Sequence, residues 1–285
     1  MQPEQLDQLI LSGDCEMIYN QTSELFQNQI ALSELQDVIC SFSEGTQQCF
    51  LQAITPIGDS KEYTWIDDTG TKGIIALFDS ENIITALQLL PLQPFPETDQ
   101  QWTKNEFILP MRDEWFTFWG GNNELINYHY PYASQRYAFD FVIMEENRTY
   151  AGHPNDNEHY FAFGKEVVAP AAGTIVKIEN NIIDNKPGEM NEENPSGNYI
   201  VIDHGHNEYS IIVHFKQHSL TVTEGDYVKQ GEVVGLCGNS GHSSEAHIHF
   251  QVSDSPILDD GRSIRIRFKD GREPRRGDFV QQSPS

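Results

Sequence analysis

Beyond Gly120-Gly121 the chain is built from short runs in which apolar and polar residues alternate, separated by glycine-rich turns. The runs are Tyr137–Ile143, Thr174–Ile178, Tyr199–Asp203, Tyr209–Phe215, Val233–Cys237 and His247–Val252. A period of two turns one side of each run toward a core and the other away from it, which is the signature of strands. Helical spacing is nearly absent in this part of the chain. The pattern therefore predicts a mainly antiparallel β domain over residues 127–285.

The N-terminal part has a different period. Leu6, Leu9 and Ile10 open a helical spacing that extends over residues 4 to 52, and Leu35, Val38, Ile39 and Phe42 repeat at i, i+3, i+4 and i+7. Ser33 and Gln36 are placed as a capping box for that second stripe. Strands are expected at Tyr63–Asp67, Gly73–Phe78 and Ile83–Leu90, because turn signals at 68–70 and 79–82 separate these apolar runs. Helices followed by an antiparallel meander make a small α+β domain over residues 1–92. Its architecture resembles the cystatin-like or nuclear-transport-factor-two-like domains, with no specific motif. Pro91, Pro94 and Pro96, the polar stretch 97–105 and the aromatic run Trp115, Phe116, Phe118 and Trp119 predict a linker and connecting segment over residues 93–126. A chain of 285 residues is long for a single core, in keeping with two domains.

With 43 acidic and 18 basic side chains the formal net charge is −25, which opposes binding to nucleic acid. Seven of the cationic residues fall within 262–276: Arg262, Arg265, Arg267, Lys269, Arg272, Arg275 and Arg276. They read as a solvated strand and loop, or alternatively as a local anion-contacting patch. Cys15, Cys40, Cys49 and Cys237 have no paired short spacing, so they are expected to be buried free thiols rather than a thiolate metal site. The start of the chain shows neither a signal peptide nor a membrane span, and taken literally the chain stays where it is made.

Four residues on the predicted strands carry the chemistry. Asp140 interrupts Tyr-Ala-Phe-Asp-Phe-Val, His214 ends Ile-Ile-Val-His, and His247-Ile-His249 is a pair at i and i+2. Two residues apart on a strand, His247 and His249 would project to one face. Imidazoles and a carboxylate converging on a sheet suit Zn²⁺, which takes nitrogen and oxygen ligands and leaves a position for water in catalytic sites.

The blocks around these residues follow a known order. Val168-Ala169-Pro170-Ala171-Ala172-Gly173, then Gly197-Asn198-Tyr199 through Asp203-His204, then Glu224-Gly225-Asp226 through Val233-Val234-Gly235, then Gly238-Asn239-Ser240-Gly241-His242 through His247-Ile248-His249-Phe250 succeed one another. Over residues 127 to 280 or so, the chain resembles the lysostaphin/LytM-type zinc metalloendopeptidases. The resemblance implies one Zn²⁺ per chain, with Asp140 and His249 as metal ligands and His214 and His247 as catalytic histidines beside the metal. His214 stands at the histidine of the family's Y-x-H motif, where Ile212 replaces the tyrosine.

One position departs from the pattern. The family's first histidine ligand lies four residues before the aspartate, and here that residue is Arg136, which has no lone pair to offer a metal. His129 is the substitute of choice, because lengthening a loop adds closure entropy only logarithmically. His153, His159 and a missing ligand are the alternatives.

The resemblance implies hydrolysis of peptide bonds in the stem or cross-link peptides of peptidoglycan, or in another peptide, and an extracytoplasmic setting if a leader has been removed. The alternative is a degenerate LytM-like domain, without zinc, that serves as a binding or regulatory module. The N-terminal domain is expected to mediate dimerisation or ligand binding.

Overall fold

A computed structural model describes residues 2–258 and 260–283. The chain divides into two compact units, one running to Pro94 with Asn123–Ile126 added, the other comprising Phe95–Asn122 and the residues from Asn127 onward.

In the first unit four helices, α1 (Leu6–Ser12), α2 (Cys15–Asn20), α3 (Glu24–Gln27) and α4 (Leu32–Ser43), precede four strands, β1 (Cys49–Ile57), β2 (Ser60–Asp67), β3 (Lys72–Phe78) and β4 (Ile84–Pro91). The strands form an antiparallel sheet in sequence order, so the unit is α+β. Gly13, at φ 72°, ends α1, and the Asp14 carboxylate accepts from Met17 N at 3.3 Å to start α2. Leu6, Ile10, Ile18, Leu35, Ile39 and Phe42 pack against Tyr63, Trp65, Ile74, Ala76 and Phe78.

Three expectations are corrected here. Helical structure stops at Ser43, and Cys49–Gln52 belong to β1, where pairing with β2 overrides the local spacing. The Ser33/Gln36 capping box is absent; α4 starts at Leu32 and the Glu34 carboxylate instead accepts from Ala31 N at 2.9 Å. Cys40, on the outer side of α4, is exposed, whereas Cys15, Cys49 and Cys237 are buried free thiols.

The second unit begins with a short helix, α5 (Pro96–Asp99), and continues with β5 (Trp115–Trp119), β6 (Phe139–Val142), β7 (Glu166–Val168), β8 (Gly173–Glu179), β9 (Asn198–Asp203), β10 (Tyr209–Phe215), β11 (Tyr227–Val228), β12 (Val233–Leu236), β13 (Ile248–Ser253) and β14 (Phe279–Val280). Eight of these strands make one antiparallel sheet in the order β11-β8-β9-β10-β13-β6-β5-β14, and β12 pairs with β7. Three adjacent central strands, β10, β13 and β6, carry His214, His249 and Asp140.

Alternation along these strands decides which way each side chain faces. Phe139 and Phe141 of β6, and Ile248, Phe250 and Val252 of β13, enter the main core, so Asp140, His249 and Gln251 point to the opposite face. The segment 93–126, expected as a linker and connector, is distributed between the units. Residues 95–122 lie in the second, where Phe107, Leu109, Met111 and Trp115 are core residues and β5 pairs with β6. Burial of these aromatic and aliphatic side chains outweighs the local proline signals.

The basic stretch near the C-terminus is largely consumed by intra-unit contacts. Arg265 stacks on Trp102 at 4.1 Å and pairs with Glu273, Arg272 pairs with Asp270, and Arg276 stacks on Trp119 at 4.1 Å. Among the described residues no helix is long and apolar enough to cross a membrane.

Candidate metal centre

Asp140 and His249 are direct cross-strand partners in the β6–β13 ladder. Their side chains meet on the face away from the main core, with His249 Nδ1 2.9 Å from Asp140 Oδ1. His129 reaches the same carboxylate from a run of turns ahead of β6, placing Nε2 3.1 Å from Oδ2. All three residues are buried, and one donor atom from each lies within 4.8 Å of the others.

The local fold explains how His129 gets there. The fully buried Asn127 accepts from His129 N at 3.1 Å through Oδ1 and donates through Nδ2 to the carbonyls of Arg136 and Ala138, each at 3.1 Å. One side chain thus closes the turn from both ends. Successive turn bonds, Tyr132 N to His129 O, Gln135 N to Tyr132 O and Ala138 N to Gln135 O, bring the chain round into β6.

β6 starts only at Phe139, so the strand alternation that would aim Arg136 toward Asp140 does not apply. The guanidinium instead lies 3.5 Å from the Phe95 ring centroid, with Nε donating to Tyr130 O at 3.0 Å and a terminal nitrogen to Thr98 Oγ1 at 3.1 Å. His153 and His159 sit in a polar loop and bond to one another, His153 N donating to His159 Nδ1 at 2.8 Å.

The donor set fits Zn²⁺: two imidazole nitrogens and one carboxylate oxygen are a common catalytic zinc ligation. Tetrahedral ligands on bonds of about 2.0–2.1 Å stand roughly 3.3 Å apart, within the spread of these three atoms. Burial alone would raise the Asp140 carboxyl, but the adjacent His129 and His249 rings outweigh it and hold the group well below the usual carboxylate range. A buried anion with two imidazoles is the electrostatic arrangement a divalent cation would complete.

His214 and His247 border this cluster. His214 is an extra residue in β10, in a bulge between Val213 and Phe215 and at φ 69°, an uncommon conformation for a residue with a side chain. Its Nδ1 donates to Ser240 O at 2.7 Å, which leaves Nε2 as the nitrogen with a free lone pair. His247 is fixed alike, with Nδ1 2.9 Å from Glu245 O, and its Nε2 lies 4.0 Å from Asp140 Oδ1. The two rings are 4.7 Å apart between centroids. Burial and the neighbouring imidazoles push His214 well below its ordinary pKa, favouring its neutral form.

Two cavities border the cluster. One of about 320 Å³ is walled by Trp119, Tyr128 and Met190 and touches Asp140 and His247. Another of about 150 Å³ reaches His129, His214 and His249. The predicted residues His129, Asp140, His214, His247 and His249 are therefore brought together, and Arg136 is not.

Residues 159–264 match the model of peptidase family M23. This M23 match lies within the C-terminal unit. The matched stretch of the M23 unit includes His214, His247 and His249 but starts after His129 and Asp140. Similar curated proteins include an uncharacterized metalloprotease of Buchnera aphidicola, 32% identical over 89 residues, or 31% of this chain and 22% of that protein. A peptidoglycan DD-endopeptidase, ShyA, of Vibrio cholerae is 33% identical over 57 residues, or 20% of this chain and 13% of that protein. The chain thus spans less than a quarter of the length of these relatives. Among solved structures, the catalytic domain of lysostaphin from Staphylococcus simulans aligns at 21% identity with a TM-score of 0.31, covering 53% of this chain and 88% of that one.

The residues that support the site were less visible in sequence than its ligands. Asn127, Gln135, Ser240 and Gln251 were not singled out. Gln251 could have been found, because it lies two residues after His249 and so shares its face. Gln135 lies among turns and carries no comparable periodic signal.

Proposed function

We infer that the M23 unit is a zinc-dependent endopeptidase that hydrolyses peptide bonds, with His129, Asp140 and His249 as metal ligands and His214 and His247 as its catalytic histidines. The observation that carries this reading is the convergence of a buried His-Asp-His donor set with two imidazoles held through Nδ1 by backbone carbonyls. When bound, Zn²⁺ would supply Lewis acidity for activating water and polarising the scissile carbonyl. The chain's own residues supply the proton handling. Neutral His214, whose Nδ1–H donates to Ser240 O, presents Nε2 as a proton acceptor beside the ligands. His247 Nε2 can accept a proton and, once charged, return it to the leaving amine or hydrogen-bond the developing oxyanion.

The substrate reading is peptidoglycan stem or cross-link peptide, supported by the family and by the endopeptidase relative. It carries with it an extracytoplasmic setting. A zinc-free binding module in which Arg136 fills the metal position is the alternative reading; the Arg136 guanidinium lies against Phe95, which supports the zinc reading. The N-terminal α+β unit is read as an accessory module for dimerisation or ligand binding.

The deciding experiment combines metal analysis of the purified chain with digestion of purified sacculi and cross-linked muropeptides. Close to one zinc per chain, and product release that chelation stops and zinc restores, is the expected result. A chain that fails to take up zinc on reconstitution would overturn the zinc-dependent reading and favour the binding-module alternative.

A further inference from the structure

Both imidazoles that face Asp140 end, on their far side, on a glutamine amide. His249 Nε2 is 3.0 Å from Gln251 Oε1, and His129 Nδ1 is 3.0 Å from Gln135 Oε1. The Gln251 amide has its orientation set independently, because its Nε2 donates to Ser134 O at 2.9 Å. A carbonyl oxygen can only accept, so the nitrogen of that amide must lie toward Ser134 and its oxygen toward His249. Gln251 is 2% exposed, which excludes exchange of this contact for bulk water.

We propose that Gln251 and Gln135 are positioning residues that select which ring nitrogen of His249 and His129 is offered to the metal. An acceptor oxygen on one side of an imidazole calls for N–H there and, in the neutral ring, leaves the lone pair on the other nitrogen. Gln251 therefore makes Nδ1 of His249 the ligating atom, and Gln135 makes Nε2 of His129 the ligating atom. These are the two atoms that face Asp140.

The two glutamines are tied through one dipeptide. Ser134 supplies the carbonyl that orients Gln251, and the next residue, Gln135, bonds His129 directly. The turn at 134–135 thus sets the orientation of a ligand on β13 and of a ligand in its own loop. Both acceptors are neutral, so they orient the rings without adding a second and third negative charge around the carboxylate. This inference rests on the zinc-ligand reading above.

The test is zinc affinity of the full chain, measured by competition with a chromophoric chelator. Gln251→Leu and Gln135→Leu should each weaken zinc binding by about 10- to 100-fold, as loss of outer-sphere partners of metal-bound histidines does. Gln251→Glu and Gln135→Glu, which keep an acceptor oxygen, should restore it. Long-range ¹H–¹⁵N spectra of the zinc-loaded wild type should place the ring protons on Nε2 of His249 and Nδ1 of His129. Gln135 is half-buried, so its Leu variant provides a folded comparison if Gln251→Leu misfolds. Unchanged zinc affinity in a folded Leu variant, or ring protons on the opposite nitrogens, overturns the proposal alone. A wild-type chain that binds no zinc overturns the zinc-ligand reading, and this inference with it.

Discussion

Asp140 lies directly across the β6–β13 ladder from His249, and its two carboxylate oxygens are divided between two imidazoles, Oδ1 to His249 at 2.9 Å and Oδ2 to His129 at 3.1 Å. Removing this carboxylate leaves two buried imidazoles with no anion between them. Asp140→Ala is expected to eliminate stoichiometric zinc uptake, measured by metal analysis after dialysis. Full zinc occupancy in this variant would show that the metal is held elsewhere.

His129 and Arg136 separate the two ways of completing the site. His129→Ala should abolish stoichiometric zinc binding, whereas Arg136→Ala should retain it. Arg136→Ala should nonetheless destabilise the fold by about 1–3 kcal/mol, because it removes a buried guanidinium that stacks on Phe95, leaves the Tyr130 carbonyl without that donor and takes one of two donors from the Thr98 hydroxyl. Metal content and denaturant midpoints of the two variants check both halves.

His214→Ala and His247→Ala should each keep zinc bound and lower hydrolysis by about 10²- to 10⁴-fold, the usual contribution of a positioned proton-transfer group. The informative comparison is rate against metal content on the same preparation. Loss of zinc in either variant would reassign that histidine as a ligand.

Asn127→Ala should affect both stability and zinc, although Asn127 is not placed in contact with the metal. It removes bonds to His129 N and to the carbonyls of Arg136 and Ala138, so the turn presenting His129 loses its clamp. We expect destabilisation of about 1–3 kcal/mol together with weaker zinc binding. Wild-type zinc affinity would show that the loop is held by its other contacts.

A pH prediction concerns His204, away from the cluster. Burial lowers its pKa from 6.5, against the pull of the Ala172 carbonyl and of Asp203 and Glu208. Its Nδ1 donates to Ala172 O and its Nε2 accepts from Ser210 Oγ, both at 2.8 Å. The folded state favours the neutral ring, so this contribution is intact above the unfolded pKa near 6.5. It is lost as pH falls from there through the lowered folded value. His204→Gln should be less stable than wild type at pH 7.5, with the gap narrowing by pH 5 in urea titrations. A gap that widens on acidification would contradict the assigned direction.

Strand alternation made much of the second unit legible in sequence. Because β side chains have a period of two, the runs around Asp140 and His249 fixed which residues share a face, and the ordered glycine-rich blocks pointed to the family. The helical stripe Leu35, Ile39 and Phe42 was legible for the same reason, since its period is local. Where the local pattern misled, tertiary pairing had decided the matter: Cys49–Gln52 became part of β1 by pairing with β2, and the proline-rich connector gave way to core packing at Phe107, Leu109 and Met111.

The sequence by itself determined the residue types and the strand faces that make a His-Asp-His site chemically available. Tertiary structure alone decided that His129 reaches the carboxylate, that Arg136 turns away to Phe95, that His214 occupies a bulge, and that Gln135 sits behind His129. The physical reason is that periodicity carries information only within a regular element. The path of a turn is set by bonds such as those of Asn127, and the orientation of the His129 ring by Gln135, an acceptor outside any strand, neither of which leaves a repeating mark on the chain.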